Sequence, residues 1–322
     1  MQLTHYSPPK PELWTGRRTN PVEGPQYWYQ RIELIDLRRQ AFPQGERGDV
    51  VLIGYASDEG ARRNQGRVGA AEGPDAIRSH LAGTAIQFPQ QSFFDVGNVI
   101  CTDGDLEGAQ DQLARLVQIC IEAGMLPTVL GGSHDLALGS YQGLRNTTDE
   151  PIGIINFDAH TDLRRPDPIG NSGTPFYEIL DQNEPDEYLI LGVQSAAHTP
   201  ELRKHTELFE TDLLYSDECQ WNNMKLVKSY LDNIAAENTH LYVSIDMDGF
   251  SSAYAPGVSA PSPFGMDPMF VWSCLQSVLS SNKLAVIDFA ELNPRFDRDG
   301  QTAKLAARLI NEVVCFEYPF EE

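Results

Sequence analysis

The side chains best suited to chemistry sit in the run Ile154-Ile155-Asn156-Phe157-Asp158-Ala159-His160-Thr161-Asp162. Its apolar start predicts a buried strand. A strand alternates faces with a period of two, so Asp158, His160 and Asp162 are expected to share one face at its end. Three such groups are costly to bury unless something positive satisfies them. A second run, Val243-Ser244-Ile245-Asp246-Met247-Asp248-Gly249, places Asp246 and Asp248 in the same relation. Two carboxylates that close repel each other and shift each other's pKa, and a divalent cation removes the conflict. Taken alone, this second run also suits a turn.

Two further segments complete the set. In Thr128-Val129-Leu130-Gly131-Gly132-Ser133-His134-Asp135 a strand ends, two glycines turn the backbone and a helix begins. His134 is the candidate ligand there, while Ser133 or Asp135 could cap the helix. Asp288-Phe289-Ala290-Glu291-Leu292-Asn293-Pro294 puts Glu291 just past the last strand. Pooled, the ligands are His134, Asp158, His160, Asp162, Asp246 and Asp248. Carboxylates with some imidazole and no thiolate suit Mn²⁺ better than a structural zinc. Four aspartates balance two divalent cations, whereas fewer cations would leave buried negative charge uncompensated. The expected cofactor is therefore two Mn²⁺ per subunit.

The elements that must position these groups are short apolar runs at 50–55, 92–96, 127–130, 152–157, 187–193, 240–246 and 284–289. Helical patterns lie between most of them, at 74–82, 106–123, 225–236 and 267–280, and a last helix is expected from about 301 to 315. Nearly continuous apolar runs separated by helices indicate an α/β fold with a parallel sheet covered on both faces. Ligands of such sheets bind beyond the carboxyl ends of the strands, which is where all four segments fall. No linker divides the core, so residues 46–322 are read as one catalytic domain. Residues 1–45 form an arm rich in proline, with Trp14, Tyr27, Trp28 and Tyr29. The aromatics lead us to expect it packed on the domain or on a neighbouring subunit.

Composition narrows the partners. The 322 residues carry a net charge of −22, which repels nucleic acid and anionic membranes, so neither is expected as a partner. No apolar stretch approaches the ~18 residues of a membrane span. Five cysteines, an odd number without a CxxC pair, read as mostly buried thiols in a reducing compartment. No secretory leader pattern opens the chain. A cytoplasmic location is expected.

Together, Gly-Gly-Ser-His-Asp, Asn-Phe-Asp-Ala-His-Thr-Asp and Ser-Ile-Asp-Met-Asp-Gly resemble the arginase/agmatinase (ureohydrolase) family over roughly residues 49–315, as does Gly66-Arg67-Val68-Gly69-Ala70-Ala71-Glu72-Gly73-Pro74. The resemblance implies a three-layer α/β/α domain around a mainly parallel eight-stranded sheet. It implies one Mn²⁺ on His134, Asp158, Asp162 and Asp246, and another on Asp158, His160, Asp246 and Asp248. A bridging hydroxide would attack a planar C=N carbon. Asp162 would orient it and move its proton, and Glu291 would face the cationic amidine. Trimers or hexamers are common to the family.

Departures within the motifs point to one branch. Ser172, in Asn171-Ser172-Gly173-Thr174-Pro175-Phe176, stands where agmatinases carry a histidine. This segment, Arg63-Asn64-Gln65-Gly66-Arg67 and Ala255-Pro256-Gly257-Val258-Ser259-Ala260-Pro261 are similar to formimidoylglutamases of histidine degradation. Their substrate, N-formimidoyl-L-glutamate, has two carboxylates and no free α-ammonium. Donors are needed for both anions. Arg164, two residues beyond Asp162, is the first candidate, with Ser172 and Arg67; Arg63, Arg165 and Gln194 follow. His198 reads as a loop or cap residue. The alternatives are an agmatinase or guanidinobutyrase, a single-zinc deacetylase-like relative, and a non-catalytic metal-binding scaffold.

Overall fold

A computed structural model describes residues 3–20, 22, 24–86, 91–182 and 187–316. Residues 1, 2, 21 and 23 of the expected arm lie outside the described residues, as do 87–90, 183–186 and 317–322 of the expected domain. The strands among the described residues are β1 (Tyr6–Ser7), β2 (Ile32–Leu34), β3 (Val50–Ala56), β4 (Phe93–Ile100), β5 (Leu126–Gly131), β6 (Ile152–Phe157), β7 (Glu187–Val193), β8 (Asp212–Tyr215), β9 (His240–Asp246) and β10 (Leu284–Ala290). The helices are α1 (Trp28–Arg31), α2 (Glu59–Arg63), α3 (Gly73–Leu81), α4 (Leu106–Glu122), α5 (Leu136–Arg145), α6 (Pro175–Leu180), α7 (Pro200–Leu208), α8 (Met224–Glu237), α9 (Pro268–Ser280) and α10 (Gln301–Val314).

Eight strands pair in parallel in the order β4-β3-β5-β10-β9-β6-β7-β8, which is the expected eight-stranded body. Two short strands from the first 45 residues extend it to ten. Both pair with β4, β1 antiparallel and β2 parallel. Seven of the eight parallel strands are the apolar runs of the sequence. The eighth, β8, reads Asp-Leu-Leu-Tyr and buries only Leu214, so no run marks it.

The three layers follow from strand alternation. Ile155, Phe157, Leu189, Leu191, Val243 and Ile245 point to one face, where they pack with α3, α8, α9 and α10. Ile154, Ile190, Tyr242 and Val286 point to the other and pack with α4, α5 and α6. Burying each large apolar side chain this way stabilises the fold by about 1.5–3 kcal/mol. Helix starts are set locally. Asp105 accepts from the Gly108 N–H at α4, Thr199 from Leu202 at α7, and Asp267 from Met269 and Phe270 at α9.

The aromatic residues near the amino terminus enter this core. Trp28 is fully buried, packs on Phe93 at 4.4 Å and donates its Nε1–H to Asn311 Oδ1 at 2.9 Å. No helix among the described residues is long and apolar enough to cross a membrane.

One consequence of the strand order governs the site. The segments carrying His134, Glu291, Asp246–Asp248 and Asp158–Asp162 follow β5, β10, β9 and β6, which are consecutive neighbours. At ~4.8 Å per strand, their four carboxyl ends span roughly 15 Å.

Candidate metal centre

β6 ends at Phe157, so Asp158, His160 and Asp162 do not continue one alternating strand as expected. The Asp158 carboxylate accepts the His160 N–H at 2.7 Å, a local bond that competes with strand pairing, and Asp162 takes a left-handed φ of 46°. Convergence of the three side chains comes from this turn. A similar device ends β9, where Asp246 Oδ1 accepts the Asp248 N–H at 2.7 Å and a short 3₁₀ turn follows. His134 follows β5 through Gly131-Gly132. A Cβ on Gly132 would collide with the carbonyl oxygens of Tyr55 and Ser57, so only glycine lets the turn pass so close to β3.

The ligand atoms form two groups. His134, Asp158, Asp162 and Asp246 make one, and Asp158, His160 and Asp248 make the other, with all atoms of a group within 4.8 Å of one another. Asp158 is common to both. Asp246, also expected to bridge, falls in the first group only, and its Oδ1 is engaged by the Asp248 N–H.

The protons around His134 test whether cations fit. Tyr242 donates its hydroxyl to Asp288 Oδ2 at 2.5 Å, and Ser244 donates its own to Asp288 Oδ1 at 2.6 Å. Having given its single proton to Asp288, Ser244 can only accept from His134 Nε2, 2.8 Å away. In the neutral ring, Nε2 therefore carries the hydrogen and Nδ1 presents a lone pair. That Nδ1 is buried without a hydrogen-bond partner, 3.3 Å from Asp158 Oδ2, 3.0 Å from Asp162 Oδ2 and 3.1 Å from Asp246 Oδ2. A lone pair aimed at three carboxylate oxygens is repulsive unless a cation lies among them or, without metal, a proton sits on Nδ1. In the second group, His160 Nδ1 is 3.5 Å from Asp158 Oδ1 and 3.3 Å from Asp248 Oδ2, and Asp248 Oδ1 is buried without a partner. Oxygen and imidazole donors of this kind fit hard divalent cations such as Mn²⁺.

Charge tells the same story. Burial, then Asp248 and Asp158, pushes the Asp246 carboxyl well up; burial brings Asp248 up to about 6. Asp162 is raised by burial and by Asp158. For His134, burial disfavours the proton, and the surrounding Asp158, Asp162 and Asp246 overcome it, so its pKa rises well above normal. For His160 the charge of Asp248 leads the rise. Without metal, the cluster recruits protons in place of cations.

Glu291 lies beside it. It follows β10 at a φ of 64°, its N–H donates to Gly132 O at 2.8 Å, and its Oε1 accepts the His134 N–H at 2.9 Å. Burial and then Asp246 raise its carboxyl to about 8.

The expected substrate contacts separate into two kinds. Arg164 and Ser172 come together: Asn64 Oδ1 accepts from Arg164 Nη1 at 2.6 Å, and Asn64 Nδ2 donates to Ser172 Oγ at 3.1 Å. Two of the other arginines are occupied. Arg67 donates to the carbonyls of Val258 and Ser259 and lies 3.9 Å over the Phe296 ring. Arg63 binds Glu59, Glu107 and the carbonyls of Gly104 and Gly170. Arg165 is exposed, Gln194 donates to Phe264 O at 3.2 Å, and His198 meets the Tyr215 hydroxyl at 2.9 Å. Sequence reasoning passed over Ser244, Asp288 and Asn64. A charged residue inside Val286-Ile287-Asp288-Phe289 was the available signal for the relay behind His134.

Residues 48–315 match the arginase family. A formimidoylglutamase of Rhodococcus opacus (strain B4) is 38% identical over 320 residues, 97% of each chain. Among solved structures, formimidoylglutamase from Bacillus subtilis superposes with a TM-score of 0.80 over 90% of this chain and 92% of that one, at 19% identity. Trypanosoma cruzi formiminoglutamase with Mn²⁺ does so at 0.74, covering 83% and 92%, at 23% identity. At those identities the structures speak for the fold. The family match and the near-full-length relative settle the membership: the chain belongs to the arginase family.

Proposed function

We propose that this protein is a Mn²⁺-dependent formimidoylglutamase. It would hydrolyse N-formimidoyl-L-glutamate with one water to L-glutamate and formamide. The observation that carries this reading is the pair of ligand groups sharing Asp158, in a chain whose near-full-length relatives carry that enzyme name. His134, Asp158, Asp162 and Asp246 would hold one cation; Asp158, His160 and Asp248 would hold the other. When bound, the cations supply a nucleophile at neutral pH by lowering the pKa of water from 15.7 to about 7.

The remaining work falls to this chain's own groups. Asp162 holds the proton that water gives up and passes it to the departing glutamate nitrogen as the C–O bond forms and the C–N bond breaks. Glu291 faces the amidinium, its carboxylate favoured by that positive charge. Arg164 and Ser172 bind substrate carboxylate. Arg67 secures the loop from Ala255 to Pro261 through the carbonyls of Val258 and Ser259. The same reading places the enzyme in the cytoplasm as a homo-oligomer, a trimer or hexamer, with residues 1–45 as an arm on the catalytic domain.

A release assay on Mn²⁺-loaded protein tests the reading. N-formimidoyl-L-glutamate, agmatine and L-arginine are compared, scoring glutamate, putrescine and ornithine. Glutamate from the first alone is expected. Turnover of agmatine or arginine instead would overturn the substrate assignment.

A further inference from the structure

Asn64 sits immediately after α2, at its carboxyl end, and nothing about an asparagine there looks chemical. Its surroundings say otherwise. α2 is clamped in place, because Arg63 ties it to Glu107 at the start of α4 and to the Gly170 carbonyl at 3.2 Å. The facing loop is closed by the Arg164 N–H donating to Gly173 O at 3.0 Å. Between these two fixed pieces of backbone, the Asn64 amide meets Arg164 with one end and Ser172 with the other.

The direction of these bonds is forced. Arginine has only donors, so the amide oxygen of Asn64 must face Arg164, and its NH₂ must then face Ser172. Ser172 Oγ accepts that bond, which leaves its hydroxyl proton for another acceptor. The described contacts give Arg164 no other side-chain partner than Asn64, so its remaining N–H groups are also free. Each member of the trio is left with an open donor, and one of its members is cationic. A carboxylate is the ligand that such a set recognises.

We propose that Asn64 is a positioning residue that sets the donor polarity of a carboxylate receptor made by Arg164 and Ser172. This rests on the formimidoylglutamase reading, whose substrate has two carboxylates. An aspartate at position 64 would have nearly the same shape and the opposite effect. Its second oxygen would draw in the Ser172 proton, and its charge would neutralise Arg164. A role in packing alone predicts that the near-isosteric Asn64→Asp is milder than Asn64→Ala; the polarity role predicts the reverse.

The probe is N-formyl-L-glutamate, which keeps both carboxylates and replaces the amidine with an amide. Its Kd is measured by calorimetry on the Mn²⁺-loaded full chain. Asn64→Ala is expected to weaken binding about 5-fold, Arg164→Ala about 10-fold and Asn64→Asp about 30-fold or more, as hydrogen bonds to charged groups and an added like charge require. For N-formimidoyl-L-glutamate turnover, KM should rise by more than kcat falls in each variant. If Asn64→Asp binds the probe as well as or better than Asn64→Ala, while Arg164→Ala still loses about tenfold, the role of Asn64 is overturned and the diacid reading stands. If the unaltered enzyme binds N-formyl-γ-aminobutyrate, with a single carboxylate, as tightly as the diacid, the reading itself falls and this inference goes with it.

Discussion

Two buried charge clusters lie on the same sheet, and they are completed in different ways. The first surrounds Arg78 on α3. Its guanidinium is buried against Asp95, with bonds of 2.9 and 2.7 Å, and also donates to Asn98 Oδ1 at 2.6 Å and Gly97 O at 2.9 Å. Asp95 in turn accepts from Trp14 Nε1 at 2.8 Å and from the Gly97 N–H at 3.0 Å. One buried positive charge meets one buried negative charge, with the part-exposed Asp75 4.0 Å away and itself paired with Lys10, and the polar atoms are spent on one another. The second cluster gathers Asp158, Asp162, Asp246, Asp248 and Glu291 around imidazoles, and leaves His134 Nδ1 and Asp248 Oδ1 without partners. Burial alone therefore does not mark a functional site. What marks it is a charge balance that the chain cannot close by itself.

The contrast can be broken most forcefully at its closed end. Asp95→Asn removes the partner of a buried arginine and should cost about 3–5 kcal/mol of stability, read by denaturant unfolding. Removing a carboxylate from the open end should do the opposite in metal-free protein. Asp246→Asn relieves repulsion and should stabilise the apo chain by on the order of 1 kcal/mol. If both substitutions destabilise the metal-free protein alike, the two clusters are not different in kind.

Ligand loss comes next in size. His134→Ala and Asp248→Asn should each lower kcat/KM more than about 100-fold, beyond the 10–100-fold typical of an outer partner, with less manganese retained. Full activity at unchanged metal content would remove them from the ligand set. Ser244→Ala keeps every ligand but releases the His134 tautomer. It should weaken manganese binding about 10-fold or more, and an unchanged affinity would show that the relay to Asp288 does not orient His134.

The smallest effect is on pH dependence. Asp248 and Glu291 have carboxyls raised to about 6 and about 8 in the folded metal-free chain. A raised folded pKa means stability fully present below the unfolded carboxyl range, near pH 4, and lost as pH climbs through those values. Cations replace the protons. The gain in melting temperature on adding Mn²⁺ should therefore grow from pH 5 to pH 8.5. A gain independent of pH would contradict the charge argument.

How much of this was legible in the sequence depended on distance along the chain. The parallel strands of the sheet interior announce themselves as apolar runs, and β8 does not because an edge strand buries little. The six proposed ligands stood out because each follows an apolar run, although the backbone gathers Asp158, His160 and Asp162 by a turn and not by strand alternation. Ser244 and Asp288 became partners only when β9 and β10 paired with those two residues in register. The fate of Arg67 depended on carbonyls roughly 190 residues away, at Val258 and Ser259. Asn64 acquired meaning only when α2 met the loop bearing Arg164 and Ser172.

The central claim is that the open cluster is closed by cations, and the most direct test counts them. Metal-free protein is dialysed to equilibrium against Mn²⁺ at pH 8, and bound manganese is measured by elemental analysis, with Asp158→Ala alongside. The account predicts about two Mn²⁺ per chain, one for each ligand group, and a clear loss in the variant that removes the shared carboxylate. Stoichiometric binding of one ion or none by the unaltered chain would contradict it.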